Sequence, residues 1–299
     1  MSLQAPFPYF GGKRRAAAIV WDAIGDPGGY IEPFAGSAAV LLTRPPFRGR
    51  RVETINDADG WLVNTWRAIQ LAPDDVARHA VGPVTEIDYH ARLAWLQQRR
   101  TPDLVAWLEG DPEAHDAKAA GWWLYVMAAG IGDPFGPGPW IILDDRLVDS
   151  RKLPHLGDAG RGVAVLMRRL SERLQRVRIT CGDWRRVLTP AASRAKTGGD
   201  GSIAVFLDPP YATSGDLYAH SEDGIAQQVH EWAADAPDDL RIVLCGFDSE
   251  HDALLTLGWT KVNGRAGGGA GYNSDPTAGR RERLWMSPAC RSSEQGVLL

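Results

Sequence analysis

Apolar positions along this chain fall into two patterns. Short runs rich in apolar and β-branched residues, each closed by a turn-forming residue, predict strands at Tyr30–Phe34, Arg51–Asn56, Val177–Cys181, Ile203–Leu207 and Arg241–Phe247. The run Ile203-Ala204-Val205-Phe206-Leu207 has no polar position, as expected of a strand covered on both faces of a parallel sheet. Helical spacing appears at Arg14–Ile24, Ala38–Leu42 and Ile225–Ala234, between those strands. Thr260–Asn263 and Arg283–Met286 read as a closing antiparallel hairpin. Strands alternating with helices predict an α/β fold with a Rossmann-like sheet.

From Gly60 to about Arg178 the pattern changes. Trp61, Leu62, Trp66 and Ile69 recur at helical spacing, as do Tyr89, Leu93 and Leu96, and Ala119–Met127 and Gly162–Arg176 read as further helices. Strand character there is limited to a short piece near Trp140–Leu143. The expectation is a sheet domain built from residues 1–59 and 177–290, a helical insertion at 60–176, and a tail at 291–299. Within the insertion, Gly130 to Trp140 is too rich in Gly and Pro for regular structure, and its aromatic content favours a functional loop.

Composition adds little to this picture, and charge somewhat more. Over 299 residues, an ordinary globular composition and the lack of any long apolar run point away from a membrane protein and toward the cytoplasm. Three widely spaced cysteines offer neither a disulfide framework nor a zinc site; Cys181 and Cys245 read as small core residues. The net charge of −4 argues mildly against nucleic acid, but Arg161 to Lys196 is rich in arginine. That run reads either as a phosphate-binding face or as a solvated helix surface.

Candidate chemistry gathers at strand ends. Asp208-Pro209-Pro210-Tyr211 closes the most apolar strand; two prolines remove two backbone donors and hold the chain extended. A carboxylate, a proline carbonyl and an aromatic ring there suit a flat ring bearing an amine, although the tetrapeptide by itself reads equally as a plain strand exit. Glu32-Pro33-Phe34-Ala35-Gly36-Ser37 gives a strand, a tight turn and a helix, in which Gly36 permits close backbone approach to a ligand. An acid ending the next strand, Asp57, suits ribose hydroxyls, but no G-x-G-x-x-G is present, so a dinucleotide fingerprint is not supported.

Taken in order, Pro8-Tyr9-Phe10-Gly11-Gly12-Lys13, Glu32 to Ser37, Asn56-Asp57, Cys181-Gly182-Asp183-Trp184 and Asp208 to Tyr211 resemble the DNA adenine-N6 methyltransferases of the alpha arrangement, bacterial and phage enzymes. Arg281 to Met286 looks like that family's last strand. The resemblance implies a site-specific enzyme that uses S-adenosylmethionine to methylate a flipped-out adenine in DNA, taken as duplex, without a metal. It implies that Tyr9 and Lys13 hold the cofactor, Lys13 near its carboxylate. Phe34, Ala35, Gly36 and Ser37 would turn around its methionine part, and Asp57 would bind its ribose. Asp183 and Trp184 would flank its adenine. Asp208, Pro209, Pro210 and Tyr211 would hold the target base, with Asp208 bordering the cofactor as well. The insertion would read DNA.

Plainer readings stand beside these. Lys13 reads also as a solvated loop residue and Tyr9 as a core aromatic, while Asp57 and Asp183 each sit where a helix N-cap is expected. Ala38 replaces the second glycine usual in the resembled family, and Met127 to Asp133 lacks that family's aromatic-Asn-Gly segment with its base-reading arginine. The target sequence is therefore not inherited. Cytosine-N4 methylation, methylation of RNA or of a protein glutamine, and a non-catalytic cofactor- or DNA-binding relic are the competing functions.

Overall fold

The computed structural model describes residues 3–7, 13, 16–82, 85–99, 103–111, 113–130, 140–143, 146–149, 156–189, 198–210, 224–264 and 281–291, with backbone alone at 140–143, 146–149 and 156–161. Its centre is a seven-stranded mixed sheet in the order β5-β2-β1-β6-β7-β9-β8. The strands are β1 (Gly29–Glu32), β2 (Val52–Asp57), β5 (Val177–Cys181), β6 (Ile203–Leu207), β7 (Leu240–Phe247), β8 (Thr260–Asn263) and β9 (Glu282–Met286). The first five in that list run parallel, and β9 lies antiparallel between β7 and β8. The expected hairpin thus exists, but its second strand also pairs with β7. Leu284, Trp285 and Met286 are all buried, which requires a neighbour on each side.

Strand β6 shows why a continuous apolar run was needed. Ala204 and Phe206 pack into the larger core with Tyr30, Val243 and Cys245; Ile203, Val205 and Leu207 face the opposite core with Ile242, Leu244 and Val229 of helix α9 (Ile225–Ala234). Both faces are covered, so polar side chains have no place along the strand. Because β1 and β6 are adjacent while their chain connections leave in opposite directions, the sheet order reverses between them. Open α/β sheets bind ligands at the carboxyl ends of strands beside such a reversal.

Between β2 and β5 the chain forms α3 (Gly60–Leu71), α4 (Pro73–Ala80), α5 (Glu86–Arg99), α6 (Asp103–Gly110), α7 (Ala117–Ala129), the antiparallel pair β3 (Trp140–Leu143) and β4 (Arg146–Asp149), and α8 (Leu156–Leu174). The helical insertion is present, with a second short strand that the pattern missed. It does not build a core of its own. Trp66, Trp123 and Leu170 belong to the same buried cluster as Tyr30, Leu41 and Phe206, so α3 and α8 serve as the layer over one sheet face. A buried ion cluster fastens this layer: Arg173 of α8 places Nη1 at 2.7 Å and Nη2 at 2.8 Å from the Glu53 carboxylate of β2, which also takes Arg44 at 2.9 Å. The Gly130–Trp140 loop lies outside the described residues, apart from its ends. No helix among the described residues is long and apolar enough to cross a membrane.

Helices α4 and α7 meet at Gly121. A Cβ there would lie 2.4 Å from the His79 Cβ and 2.7 Å from the Val76 carbonyl oxygen, closer than packed atoms approach. Alanine would normally strengthen a helix by about 1 kcal/mol. Here the overlap must push α4 away, an overpacking cost of about 1–3 kcal/mol. Gly121→Ala is therefore expected to lower stability in urea unfolding followed by circular dichroism; equal or greater stability would show that the helices separate freely.

Candidate active site

Four strand ends converge at the carboxyl side of the sheet. Strand β1 runs out through Pro33 and Phe34 into a turn at Ala35-Gly36-Ser37-Ala38, and that turn is pinned from three sides. The Ala35 N–H donates to the Asn56 carbonyl at 2.9 Å, the Gly36 N–H donates to Asp57 Oδ2 at 2.9 Å, and the Gly36 carbonyl accepts from Trp66 Nε1 at 3.0 Å. Gly36 has φ +48°, where a side chain is costly. Ala38 also has φ +48°, so the alanine that replaces the expected glycine keeps a left-handed backbone at a strained position.

Asp57 is half-buried, and its other oxygen accepts from the Asp59 N–H at 3.0 Å. Desolvation lifts its carboxyl to about 6, against the opposing pull of those N–H donors. The capping alternative for Asp57 is corrected here: Asp59, not Asp57, caps α3, accepting from the Trp61 N–H at 2.9 Å. A capping role does apply to Asp183, whose Oδ1 accepts from the Arg185 N–H at 2.8 Å while the side chain stays about half exposed. Asn56, quoted in the sequence only as the companion of Asp57, is a structural staple. Its buried amide donates to the Pro33 carbonyl at 3.1 Å and to the Gly182 carbonyl at 2.9 Å, tying the exits of β1 and β5 together.

Trp184 is buried, with its ring centroid 5.8 Å from Phe34 and 6.2 Å from Trp232. Its indole N–H has no hydrogen-bond partner among the described residues, an uncommon cost for a buried donor. Phe34, Trp184 and the half-exposed Asp183 carboxylate therefore lie together at the ends of β1 and β5, a donor and acceptor set suited to an aromatic ring bearing an amine.

At the end of β6, Asp208 is about one-fifth exposed and Pro209 is buried. Lys13 places its ammonium 3.0 Å from Asp208 Oδ1 and 2.5 Å from Glu282 Oε1 of β9. Lys13 is buried, which excludes the solvated-loop reading. In this structure two protein carboxylates enclose the ammonium that the resemblance places beside a cofactor carboxylate. Burial alone would lower the Lys13 pKa; the Asp208 and Glu282 charges outweigh it and hold the group well above its ordinary range. The buried Cys245 thiol hydrogen-bonds the Asp208 carboxylate, and burial followed by that negative charge raises its pKa strongly. Tyr9 and Tyr211 lie outside the described residues.

Sequence reasoning missed Glu282, Cys245 and Glu32 as members of this region. Cys245 reaches Asp208 through the parallel pairing of β6 with β7, and Glu282 through β9 lying beside β7. Glu32 was visible as an acid inside an apolar strand. It is fully buried, accepting from Tyr30 Oη at 3.1 Å and the Leu41 N–H at 3.3 Å, and burial lifts its carboxyl to about 8. It is thus largely protonated near neutral pH, which avoids a further buried negative charge beside Asp208.

Several members of the arginine run have protein partners, while Arg176 and Arg178 are exposed. Arg173 is spent on Glu53, Arg168 on Asp74 at 2.6 Å, Arg186 on Glu109, and Arg185 on the Gln228 amide oxygen at 2.6 Å. Arg194 and Lys196 lie outside the described residues. Among the described residues no three His, Cys, Asp or Glu side chains are grouped to hold a metal ion. No protein-family model matches this chain, and no curated protein matches it either.

The raised Glu32 carboxyl has a measurable consequence. The folded state holds this proton to about 8, while the unfolded chain releases it near its ordinary 4.5. Stability gained from this group is complete below that lower value and is lost as pH rises through the higher one. Asp57, held to about 6, acts in the same direction over the lower part of the window. His251, whose burial depresses its imidazole to about 4, acts in the opposite direction below about 6.5. The test is therefore the difference: between about pH 6.5 and pH 8 the urea midpoint should drop more in the parent protein than in Glu32→Gln. An identical slope in both would place the titration elsewhere.

Proposed function

We propose that this chain is an S-adenosylmethionine-dependent DNA methyltransferase acting on the N6 amine of adenine, as the motif order implies. The observation that carries the reading is Asp208-Pro209-Pro210 at the end of β6, beside the sheet reversal and opposite the Gly36 turn, with its carboxylate gripped by Lys13. A strand exit without chemistry has no need of a buried ammonium on its carboxylate. The residues present fit the cofactor: the Gly36 turn would face its methionine part, Asp57 its ribose, and Phe34, Asp183 and Trp184 its adenine. When bound, the cofactor supplies an electrophilic methyl group on a sulfonium.

The rest of the mechanism belongs to the chain. An adenine in a duplex has its amine in the stack, so the base must be extruded at a cost of a few kcal/mol. Asp208 and the Pro209 carbonyl would then accept the two N6 hydrogens. Two acceptors on one amine favour a pyramidal nitrogen and concentrate its lone pair, which is otherwise delocalised into the ring. Lys13 fixes the direction of the Asp208 carboxylate, and Glu282 fixes Lys13. Catalysis on this account is positioning and electrostatic preorganisation rather than strong-base chemistry, since the product ammonium is acidic and loses its proton readily.

Asp208→Ala is expected to abolish transfer of tritiated methyl groups to unmethylated DNA, with a smaller loss of cofactor binding by calorimetry. Full transfer by that variant would refute the mechanism. Glu282→Gln leaves the acceptor pair in place but loosens the ammonium, so its kcat should fall by on the order of 10-fold or more, with little change in KM, as a misplaced catalytic group does. Unchanged kcat in a folded Glu282→Gln protein would show that Glu282 serves stability only.

A further inference from the structure

Helices α5 and α7 present facing stripes: Arg92, Trp95 and Arg99 on one, Lys118, Trp122 and Tyr125 on the other, each set spaced to lie on a single helix side. The stripes interleave into one continuous ladder. The Arg99 guanidinium lies 3.7 Å from the Trp95 ring centre, and Lys118 Nζ lies 4.9 Å from Trp95 and 4.4 Å from Trp122. Arg92 follows, 5.7 Å from Trp122 and 3.8 Å from Tyr125. Trp95 and Trp122 meet edge to face at 4.8 Å.

What sets these three cations apart is their lack of counter-charge. Among the described residues no carboxylate lies within ion-pair distance of Arg92, Arg99 or Lys118. Elsewhere in the insertion Arg78 pairs with Asp75 and Arg168 with Asp74, and Glu109 takes Arg186 from beyond β5. Asp88, one turn before Arg92, accepts from the Thr85 hydroxyl at 2.8 Å. Arg92 Nη1 is itself buried and has no hydrogen-bond partner among the described residues, so the exposed Arg99 and the part-exposed Lys118 are the members of the row that a ligand reaches first. Ring faces offset part of the repulsion within the row of cations, but they satisfy no guanidinium N–H donor. An oxyanion does both.

We propose that the Arg99–Lys118–Arg92 ladder is a phosphate-backbone contact of the insertion, an inference that rests on the DNA reading above. The rings are already covered by cations, so they are not base-stacking platforms. The contact is sequence-independent and positions the duplex, while base reading lies elsewhere. This places backbone binding on α5 and α7, outside the arginine run of residues 161–196.

The test is fluorescence anisotropy of the full chain with a labelled 30-base-pair duplex over a series of KCl concentrations. Arg99→Gln/Lys118→Gln should weaken binding on the order of 10-fold at 0.1 M salt and reduce the slope of log K against log [KCl] by about 2, since each phosphate contact contributes about 0.9. The charge-keeping pair Arg99→Lys/Lys118→Arg should retain the parent slope. If the double Gln variant does not fold, each single variant should lose about 0.9 from the slope. An unchanged slope and affinity, with salt-dependent binding by the parent protein, would make the ladder only a helix clamp and overturn this inference while leaving the DNA reading intact. No duplex binding by the parent protein would overturn both, and binding of poly-glutamate in its place would assign the ladder to an acidic protein.

Discussion

A buried ammonium held between two carboxylates is the constraint around which the candidate site is assembled. Lys13 precedes the first helix, Asp208 follows β6, and Glu282 opens β9, so one ion triad joins three distant parts of the chain. Breaking a buried pair by removing one partner costs about 3–5 kcal/mol, because the remaining charge stays desolvated. None of the three positions is therefore independent. The net charge of the triad is one negative, and Glu32 nearby remains protonated near neutral pH, so the site carries no second uncompensated carboxylate beside Asp208. Such a cluster is poor evidence for stability, since well-packed apolar side chains often do as well. It is better explained as a device that gives one carboxylate a single direction.

The other half of the site obeys a different rule, that of backbone donors finding acceptors. The Gly36 turn has its N–H on Asp57, its carbonyl on the Trp66 indole and its neighbour's N–H on the Asn56 carbonyl. Asn56 then links the exits of β1 and β5, while β6 lies on the other side of β1. The turn and the Asp208 exit are thus held by adjacent strands in fixed register, Ile31 of β1 standing opposite Val205 of β6. Rigid strands, rather than loops, set the separation between the proposed cofactor turn and the proposed acceptor pair, which is the arrangement that methyl transfer by positioning requires.

The sheet was legible because its strands are short runs rich in apolar and β-branched residues ending in turn residues, and the insertion because helical spacing replaces them at Gly60. Candidate residues at strand ends were legible because Asp57, Asp183 and Asp208 each fall at the close of a strand, those of Asp57 and Asp208 being buried along their length. The roles of Lys13, Glu282 and Cys245 were not, because they depend on contacts over long sequence separation that no local period encodes: Lys13 with Asp208, β7 beside β6, and β9 beside β7. Asp57 and Asp59 both precede α3, and only the φ/ψ of the Asp59 cap decides between them. Charge along a sequence is not charge along a surface: α8 turns Arg173 inward onto Glu53 and Arg168 outward onto Asp74.

The central claim is that this site orients the exocyclic amine of adenine toward a methyl sulfonium. The most direct measurement is mass spectrometry of nucleosides from unmethylated DNA incubated with the purified protein and S-adenosylmethionine. The account predicts N6-methyladenine as the product, dependent on the cofactor. N4-methylcytosine, or no modified nucleoside despite cofactor and DNA binding, would contradict it.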